Sequence, residues 1–269
     1  MFYPDDSFAL HTDLYQINMI YTYWQAGIDK KPVVFEAYFR DMPFNNGYVI
    51  FAGLAHIVQY LDDLHFVIVI LLIYSHLICI MKILIYLKKW QLTASLRAPY
   101  EGEVMFDHEP LLQVEGPLID AQLLETALLN IINFQTLIAT KASRVVTVAN
   151  GDPLMEFGTR RAQEFDAALW GTRAAYIGGF NATSNVRAGK LFNIPVSGTH
   201  AHALVQAYQN DYTAFKTYAN SHHDVVFLVD TFDTLKSGVP AAIKVAQEFG
   251  DKINFQGIRI DSGNMCHCR

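Results

Sequence analysis

Hydrophobic and polar positions follow two different patterns along this chain. Residues 8–117 combine helical spacing with short alternating runs, whereas helical and extended runs follow each other regularly from residue 118 onward. The change predicts two domains, an N-terminal α/β domain over residues 1–117 and a second α/β domain over residues 118–269. The fold class expected from this order is α/β.

The first domain begins with helical spacing over residues 8–26, in which the helix is expected to start at Thr12 or Asp13, either of which can cap its first amides, and to end at Gly27. Residues 33–39 then alternate as a strand does, and a turn rich in Pro, Asn and Gly precedes the apolar run 48–52. These two runs predict a β-hairpin. A second helix is expected over residues 53–64, and short strands broken by Gly and Pro over residues 98–117.

The second domain alternates between the two periods. Helices are predicted over residues 118–140, 162–172, 183–190, 202–219 and 239–249, with a further helical stretch that follows the first and ends at residue 148. Strands are predicted over residues 154–157, 175–177, 194–196, 225–229 and 255–260. Repeated βα units need right-handed crossovers and a parallel sheet, so a β/α barrel is expected, with its active loops at the carboxyl ends of the strands. The chain stops one strand short of closure, so the barrel is expected to be incomplete.

Residues 66–87 depart from both patterns because they are apolar nearly throughout, with Lys82 as the one full charge. Length and hydropathy would allow a membrane span. A single span would place the flanking parts of one domain on opposite sides of a bilayer, so a buried helix or strand pair is the alternative. A third interpretation is a reading-frame artefact, since codons for an acidic run yield isoleucine when they are read one base out of phase.

Composition narrows the function to small-molecule chemistry. The chain has 269 residues, 52% of them hydrophobic, and a formal net charge of −6. It has no run of Lys and Arg, which argues against binding to nucleic acid or to an anionic membrane. Three cysteines, an odd number, fit a reducing compartment, and the N-terminus has no export signal, so we expect a cytoplasmic location. Cys266 and Cys268 flank a histidine but lack further ligands, and no protein metal site is predicted.

The segment from Gly198 to His202, Gly-Thr-His-Ala-His, presents two imidazoles and a hydroxyl after an apolar run. Taken alone, a His-x-His pair more often has one ring in the core and one in solvent. Neighbouring strand ends also carry reactive residue types. Arg160 and Arg161 suit a phosphate or carboxylate, or form surface ion pairs.

Aspartates 230, 233 and 261 follow predicted strands. Their carboxylates suit ribose hydroxyls, Mg²⁺ or a developing positive charge, although Asp233 also suits the cap of the next helix. Arg259 alternates with isoleucines on the last strand, so it is expected to face either the barrel interior or the other side of the sheet, and an inward arginine needs an anion.

Several segments together resemble the nicotinate phosphoribosyltransferases of the bacterial type. They are Thr-Asp-Leu-Tyr-Gln (12–16), Glu-Gly-Pro-Leu-Ile-Asp-Ala-Gln-Leu-Leu-Glu (115–125), Asn-Phe-Gln-Thr (133–136), Phe-Gly-Thr-Arg-Arg-Ala-Gln (157–163), Gly-Thr-His-Ala-His (198–202) and Ile-Arg-Ile-Asp-Ser-Gly (258–263). The resemblance implies a type II phosphoribosyltransferase fold, an N-terminal α/β domain with an irregular β/α barrel. It extends over nearly the whole chain except residues 66–87 and the last few.

The resemblance also implies an activity and its residues. Members join nicotinate to phosphoribosyl pyrophosphate, forming nicotinate mononucleotide in NAD biosynthesis, with ATP hydrolysis coupled through a phosphorylated histidine and Mg²⁺ as cofactor. By the match that histidine is His202, and Asp261 stabilises charge on the ribose. The remaining matched residues bind substrate: Tyr15, Thr199 and Arg259 line the nicotinate pocket, and Arg160 and Arg161 bind an anion. A homodimer stays an open option, and neither nucleic acid nor a membrane is expected as a partner.

Two departures leave alternatives open. The family has a polar helix where this chain has residues 66–87, and its long continuation beyond the position of Asn264 is absent from this sequence. The chain alone is therefore expected to be incomplete and its own activity is in doubt. The alternatives are a non-catalytic truncated or membrane-associated fragment and an enzyme similar to quinolinate phosphoribosyltransferase.

Overall fold

The computed structural model describes residues 8–66 and 81–263. The chain divides into two compact units, Met1–Val196 and Ser197–Arg269. The domain boundary that the sequence predicts at residue 117 stays a prediction. Most of the apolar segment 66–87 lies outside the described residues, as do all three cysteines, so the interpretations of that segment and of the terminal Cys-His-Cys stay predictions too.

The N-terminal unit holds six described helices and seven strands. The helices are α1 (Leu14–Gln25), α2 (Leu54–Asp63), α3 (Met81–Lys88), α4 (Leu118–Ala149), α5 (Glu164–Ile177) and α6 (Val186–Phe192). The strands are β1 (Pro32–Ala37), β2 (Val49–Ile50), β3 (Ser95–Arg97), β4 (Val104–Met105), β5 (Leu112–Pro117), β6 (Met155–Glu156) and β7 (Ala182–Thr183). The first two predicted helices are confirmed within a few residues at their ends.

The predicted hairpin between β1 and β2 is wrong. Strand β1 instead pairs antiparallel with β5, from Pro32 opposite Pro117 to Ala37 opposite Leu112, and β3 pairs with the other edge of β5. Strand β2 pairs with β4 in a separate sheet. Residues 38–48 separate β1 from β2, a connection much longer than the two-residue turn of a tight hairpin, and each strand pairs with a later strand instead.

Helix α4 forms the centre of the N-terminal unit. It is one continuous helix of 32 residues, where the sequence predicts two stretches, and 16 of its residues are buried. The hydroxyls of Thr140 and Thr136 accept hydrogen bonds from the amides of Ile50 at 2.9 Å and Ala52 at 3.3 Å, which attaches the β2 region to the helix. Among the described residues α4 is the one helix long and apolar enough to cross a membrane, and 56% of its apolar window is buried, as in a core helix.

The start of α4 is anchored by a buried carboxylate. Asp120 is 1% exposed and accepts hydrogen bonds from the indole of Trp90 at 2.8 Å, from the amides of Thr93 at 2.8 Å and Ala94 at 2.9 Å, and from the Thr93 hydroxyl at 2.9 Å. Four donors compensate the cost of burying this group. The carboxylate thereby joins the segment that precedes β3 to the central helix.

Helix α5 extends through residues that the sequence assigns to a strand. The predicted strand over 175–177 is wrong, because Ala174 and Ala175 are buried small residues of α5, and the next strand is β7 instead. At Gly178 a Cβ would lie 2.4 Å from the carbonyl oxygen of Ala139, so the helix end meets α4 at a distance that only glycine allows. The predicted parallel pairing is confirmed: β6 pairs in parallel with β7, which has a parallel bridge to Val196.

The C-terminal unit pairs β8 (Asp224–Leu228) in parallel with β9 (Asn254–Arg259). Its helices are α7 (His202–Tyr208), α8 (Asp211–Ser221) and α9 (Val239–Phe249). The single helix predicted over 202–219 is wrong, because Gln209 is left-handed with φ 53° and Asn210 caps a new helix through a hydrogen bond from the Thr213 amide. The prediction for α9 is confirmed at both ends.

The core of the C-terminal unit packs helices α8 and α9 onto β8. Phe215 stacks on Phe227 with ring centroids 4.7 Å apart, and both rings are fully buried. Between β8 and α9 a Cβ on Gly238 would lie 1.9 Å from the carbonyl oxygen of Val229, so the chain passes too close to the strand end for any other residue. These contacts fix the loop after β8, where the reactive residue types begin.

Candidate active site

Five of the residues around the carboxyl ends of β8 and β9 form one connected cluster in the C-terminal unit. We call it the histidine cluster: Thr199, His202, Thr231, Arg259 and Asp261. Parallel strands end at the same edge of a sheet, and the loops that follow them bring polar side chains together there. Four of its members, Thr199, His202, Arg259 and Asp261, are among the site residues predicted from the sequence.

His202 is the first residue of α7 and its side chain is 34% exposed. Its Nδ1 lies 3.0 Å from the Oγ1 of Thr231, within hydrogen-bond distance. Its Nε2 lies 3.7 Å from a carboxylate oxygen of Asp261, which is an electrostatic contact and longer than a hydrogen bond. One ring nitrogen is therefore engaged, and the other faces a carboxylate and solvent.

His200 has the opposite environment, although it lies only two residues away. It is 7% exposed, and its Nε2 accepts a hydrogen bond from the amide of Leu228 at 3.1 Å. Its ring packs against Tyr218 and Phe215. Burial, opposed by the Ala201 carbonyl and assisted by the nearby charges of Arg259 and His202, lowers the pKa of His200. His200 is the core histidine of the pair.

Arg259 ends β9 and points its guanidinium into the cluster. It donates to the Thr199 hydroxyl at 3.0 Å and makes a short charge-assisted hydrogen bond to Asp261. The sequence predicts that this arginine needs an anion, and Asp261 meets part of that need within the chain. The pair holds both charges at the same strand end.

Asp230 connects the loops after β8 and β9. One of its oxygens accepts hydrogen bonds from the amides of Asp261 at 2.9 Å and Ser262 at 2.7 Å and from the Ser262 hydroxyl at 2.7 Å. Burial works to raise the pKa of Asp230, but these hydrogen bonds outweigh it and hold the pKa below its usual value. Its other oxygen is buried without a partner among the described residues. Asp233 caps the following turn by accepting hydrogen bonds from the amides of Leu235 and Lys236. This is the capping role that the sequence offers as the alternative to a functional role.

The other three predicted site residues lie in the N-terminal unit. Tyr15 is half exposed on α1 and donates a hydrogen bond to Glu125 at 3.0 Å; its burial and this carboxylate raise its pKa. Arg160 and Arg161 form a single turn of 3₁₀ helix after β6, and their side chains are exposed. Within the described residues neither guanidinium has an ion-pair partner.

Glu156 is a residue that the sequence did not single out. It ends β6, and its carboxylate accepts hydrogen bonds from the hydroxyls of Thr172 and Thr183, both at 2.8 Å, and a short one from the amide of Gly158. It therefore holds the turn that carries Arg160 and Arg161 against α5 and β7. The sequence feature that could have indicated Glu156 is its position at a strand end, two residues before a glycine. Thr231 was missed for a similar reason, since a threonine in a loop has no distinctive pattern.

Comparison with known proteins agrees with this arrangement. Residues 10–133 match the nicotinate phosphoribosyltransferase N-terminal domain, and residues 153–268 match the nicotinate phosphoribosyltransferase family. The chain is 59% identical to a nicotinate phosphoribosyltransferase of Bacillus subtilis over 98% of its own length and 54% of the relative. It is 38% identical to one from Mycobacterium tuberculosis over 96% of its length and 55% of the relative. The chain thus spans about half the length of these curated relatives.

A solved structure shares the fold. The human nicotinic acid phosphoribosyltransferase superposes with a TM-score of 0.86 at 30% identity, over 94% of this chain and 61% of the human one. The α/β fold is thus that of type II phosphoribosyltransferases, an N-terminal α/β domain followed by part of an irregular β/α barrel, as the sequence predicts. With both family models matched along its length, the chain belongs to the nicotinate phosphoribosyltransferase family.

Proposed function

We propose that this chain carries active-site residues for the joining of nicotinate to phosphoribosyl pyrophosphate, which forms nicotinate mononucleotide and pyrophosphate in NAD biosynthesis. ATP is the proposed co-substrate. The observation that supports this function most strongly is the histidine cluster, an open imidazole beside an arginine–aspartate pair in a chain of this family. The cytoplasmic location, a homodimer and the lack of a membrane partner stay predictions.

His202 is the proposed phosphoryl acceptor. A nucleophilic imidazole needs a ring nitrogen with a free lone pair and access to the incoming group. His202 is partly exposed and its Nε2 has no hydrogen bond within the described residues, whereas both features are missing at His200. The geometry therefore favours His202 over His200 for this step.

Arg259 is the proposed partner of the nicotinate carboxylate. A guanidinium can bind a carboxylate through two parallel hydrogen bonds, and such pairing distinguishes nicotinate from uncharged nicotinamide. Thr199 and Asp261 fix the guanidinium in one orientation before substrate arrives. Tyr15, half exposed on α1, is proposed to contribute to nicotinate binding as well.

Asp261 and the arginine pair have proposed roles in the transfer itself. Loss of pyrophosphate leaves positive charge on the ribose, which a carboxylate such as Asp261 stabilises. Arg160 and Arg161, exposed and without ion-pair partners in the described part of the chain, are proposed to bind the phosphates of phosphoribosyl pyrophosphate.

Mg²⁺ fits the oxygen donors of the C-terminal unit, although no group of three His, Cys, Asp or Glu side chains among the described residues is placed to hold a metal ion. Mg²⁺ commonly takes one or two carboxylates and completes its shell with water and substrate phosphates. Asp230, with one buried oxygen that lacks a partner in the described structure, and Asp261 would hold it. When bound, the ion neutralises charge on the phosphates.

An assay of nicotinate mononucleotide formation from nicotinate and phosphoribosyl pyrophosphate, with and without ATP, tests the proposal. Three proteins are compared: this chain, the Bacillus subtilis relative, and a chimera that joins this chain to the part of the relative beyond the matched region. We expect turnover by the relative and by the chimera, and its loss in the chimera on His202→Ala. A chimera that folds and binds both substrates but forms no product would refute the catalytic assignment and leave a binding function.

A further inference from the structure

The two nitrogens of the His202 ring differ in their surroundings. Nδ1 lies 3.0 Å from the Thr231 hydroxyl oxygen, and Nε2 lies 3.7 Å from Asp261. Only the first distance is that of a hydrogen bond. Within the described residues Nε2 therefore keeps one side open, while a phosphorus atom approaching Nδ1 would have to displace Thr231.

Both ends of the His202–Thr231 contact are anchored to the pair of parallel strands β8 and β9. Thr231 directly follows Asp230, which is tied to the loop after β9 by three hydrogen bonds. His202 follows His200, whose ring accepts the amide hydrogen of Leu228 in β8. The backbone on both sides of the contact is thus held by the framework of the C-terminal unit.

We propose that Thr231 is a positioning residue for phosphoryl transfer: its hydroxyl oxygen accepts the Nδ1–H of His202 and so leaves the lone pair on Nε2. A neutral imidazole carries its proton on one nitrogen only, and the nitrogen that attacks must be the other. Since Nε2 is the open nitrogen, the proton belongs on Nδ1. This inference rests on the proposed function, because it concerns the same histidine.

The Asp261 carboxylate works against this tautomer, since a negative charge near Nε2 favours a proton there. Its charge is offset by Arg259, with which it forms a close ion pair. The Nδ1 contact with Thr231 is at hydrogen-bond length, whereas the Nε2 contact with Asp261 is not. Because the Thr231 hydroxyl can accept or donate at Nδ1, the distance alone does not assign the proton; the need for an attacking lone pair on the open Nε2 assigns it to Nδ1.

The proposed step balances without a further base. The Nε2 lone pair forms the bond to the terminal phosphorus of the nucleoside triphosphate, and the bond from that phosphorus to the bridging oxygen breaks with its electron pair on the leaving diphosphate. The proton stays on Nδ1, so the phosphorylated ring is a cation. Thr231 accepts its N–H, and the Asp261 carboxylate lies beside the positive charge.

Nuclear magnetic resonance of the imidazole nitrogens tests the tautomer without any turnover. Long-range proton–nitrogen spectra of the ¹⁵N-labelled protein are recorded at a pH where histidines are neutral, for wild type, Thr231→Val, Thr231→Ala and Thr231→Ser. We expect the Nδ1–H form in wild type and Thr231→Ser, and a mixture with the Nε2–H form in the other two. The His200 signals report in each spectrum whether the unit is folded.

Two results of this measurement would overturn the proposal. One is a wild-type His202 that carries its proton on Nε2. The other is an unchanged Nδ1–H form in a folded Thr231→Val or Thr231→Ala variant. Since wild type alone can give the first result, the test stands even if a variant fails to fold.

Phosphorylation in the chimera supplies the second readout. We expect phosphate on Nε2 of His202, at least 10-fold slower incorporation in Thr231→Val with little change in the KM for ATP, and near wild-type rates in Thr231→Ser. Phosphate on Nδ1 would overturn the role of Thr231. Absence of any phosphate on His202 would instead count against the proposed function, and the tautomer measurement would still decide the role of Thr231.

Discussion

The amide of Leu228 donates a hydrogen bond to Nε2 of His200 at 3.1 Å, so one of the two neighbouring histidines is a part of the core. His202, two residues later, has its Nε2 open and its Nδ1 near Thr231. A His-x-His pair thereby separates into a structural ring and a reactive one. The separation leads to the first of five predictions.

Acid-labile, base-stable phosphate from ATP is expected on His202 of the chimera and is expected to be lost in His202→Ala. His200→Gln should retain it, because His200 does not present a lone pair to solvent. Phosphoamino-acid chromatography after alkaline hydrolysis measures the incorporation. Phosphate that persists in His202→Ala and disappears in a folded His200→Gln would reverse the assignment.

Arg259→Ala is expected to weaken nicotinate binding more than binding of phosphoribosyl pyrophosphate. A hydrogen bond to a charged group contributes about 1.5–3 kcal/mol, which corresponds to roughly 10- to 150-fold in KM or Kd. Steady-state kinetics of the chimera, or calorimetric titration of each substrate, measures the difference. Arg97→Ala, an exposed arginine of β3, is the control, and equal effects on both substrates would remove the carboxylate role.

Glu156→Gln is expected to weaken binding of phosphoribosyl pyrophosphate by about 3- to 10-fold, since losing hydrogen bonds that hold the Arg160 turn costs about 1 kcal/mol. The amide side chain replaces one of the two carboxylate oxygens by a donor, either where the Gly158 amide donates or where the two hydroxyls donate. Calorimetric titration measures the change. Glu103→Gln, an exposed glutamate, is the matched control, and an unchanged affinity in a folded Glu156→Gln protein would show that the turn does not depend on this carboxylate.

The stability of the N-terminal unit is expected to fall in acid through His56. Its ring stacks on Trp170 with centroids 3.9 Å apart. Burial lowers the pKa of His56 to about 4; the charges of His11 and Arg173 also lower this pKa, and Asp166 raises it. A histidine that is harder to protonate when folded adds full stability above its unfolded pKa of about 6.5 and loses it as the pH falls toward 4. The loss is on the order of 3 kcal/mol.

Urea unfolding of wild type and His56→Gln between pH 7.5 and pH 4 measures this dependence. The variant should be less stable at pH 7.5 and should show a shallower decline in the stability of the N-terminal unit. His200, whose pKa is also lowered, contributes to the acid dependence of the C-terminal unit and is unchanged in the variant. His65→Gln, which replaces an exposed histidine, is the control. Parallel pH profiles of wild type and His56→Gln would contradict the prediction.

Asp120→Ala is expected to lower the free energy of unfolding by about 3 kcal/mol or more, because it leaves four donors around a buried position without their charged acceptor. Asp152→Ala removes an exposed carboxylate and should change stability by less than about 0.5 kcal/mol. Chemical denaturation of both variants gives the comparison. A similar small effect for both would mean that the Asp120 contacts contribute little.

Local pattern was sufficient where the structure depends on neighbours along the chain. Helices α1, α2 and α9 follow from apolar spacing and from the residues at their ends. The parallel strands and the polar residues that follow them were also predictable, because each strand end is marked by a change from apolar to polar residues. The motif around His202 and the Arg259–Asp261 segment could be recognised in the same way.

Only the tertiary structure decided what depends on partners distant in sequence. Strand β1 pairs with β5 and not with β2, its neighbour in sequence. Ala175 belongs to a helix because its small side chain packs in the interior. The roles of His200 and His202 were separated by Leu228 and Thr231, each more than 25 residues away in sequence. Periodicity records how one segment faces the core, whereas hydrogen bonds between segments arise only when packing brings their ends together.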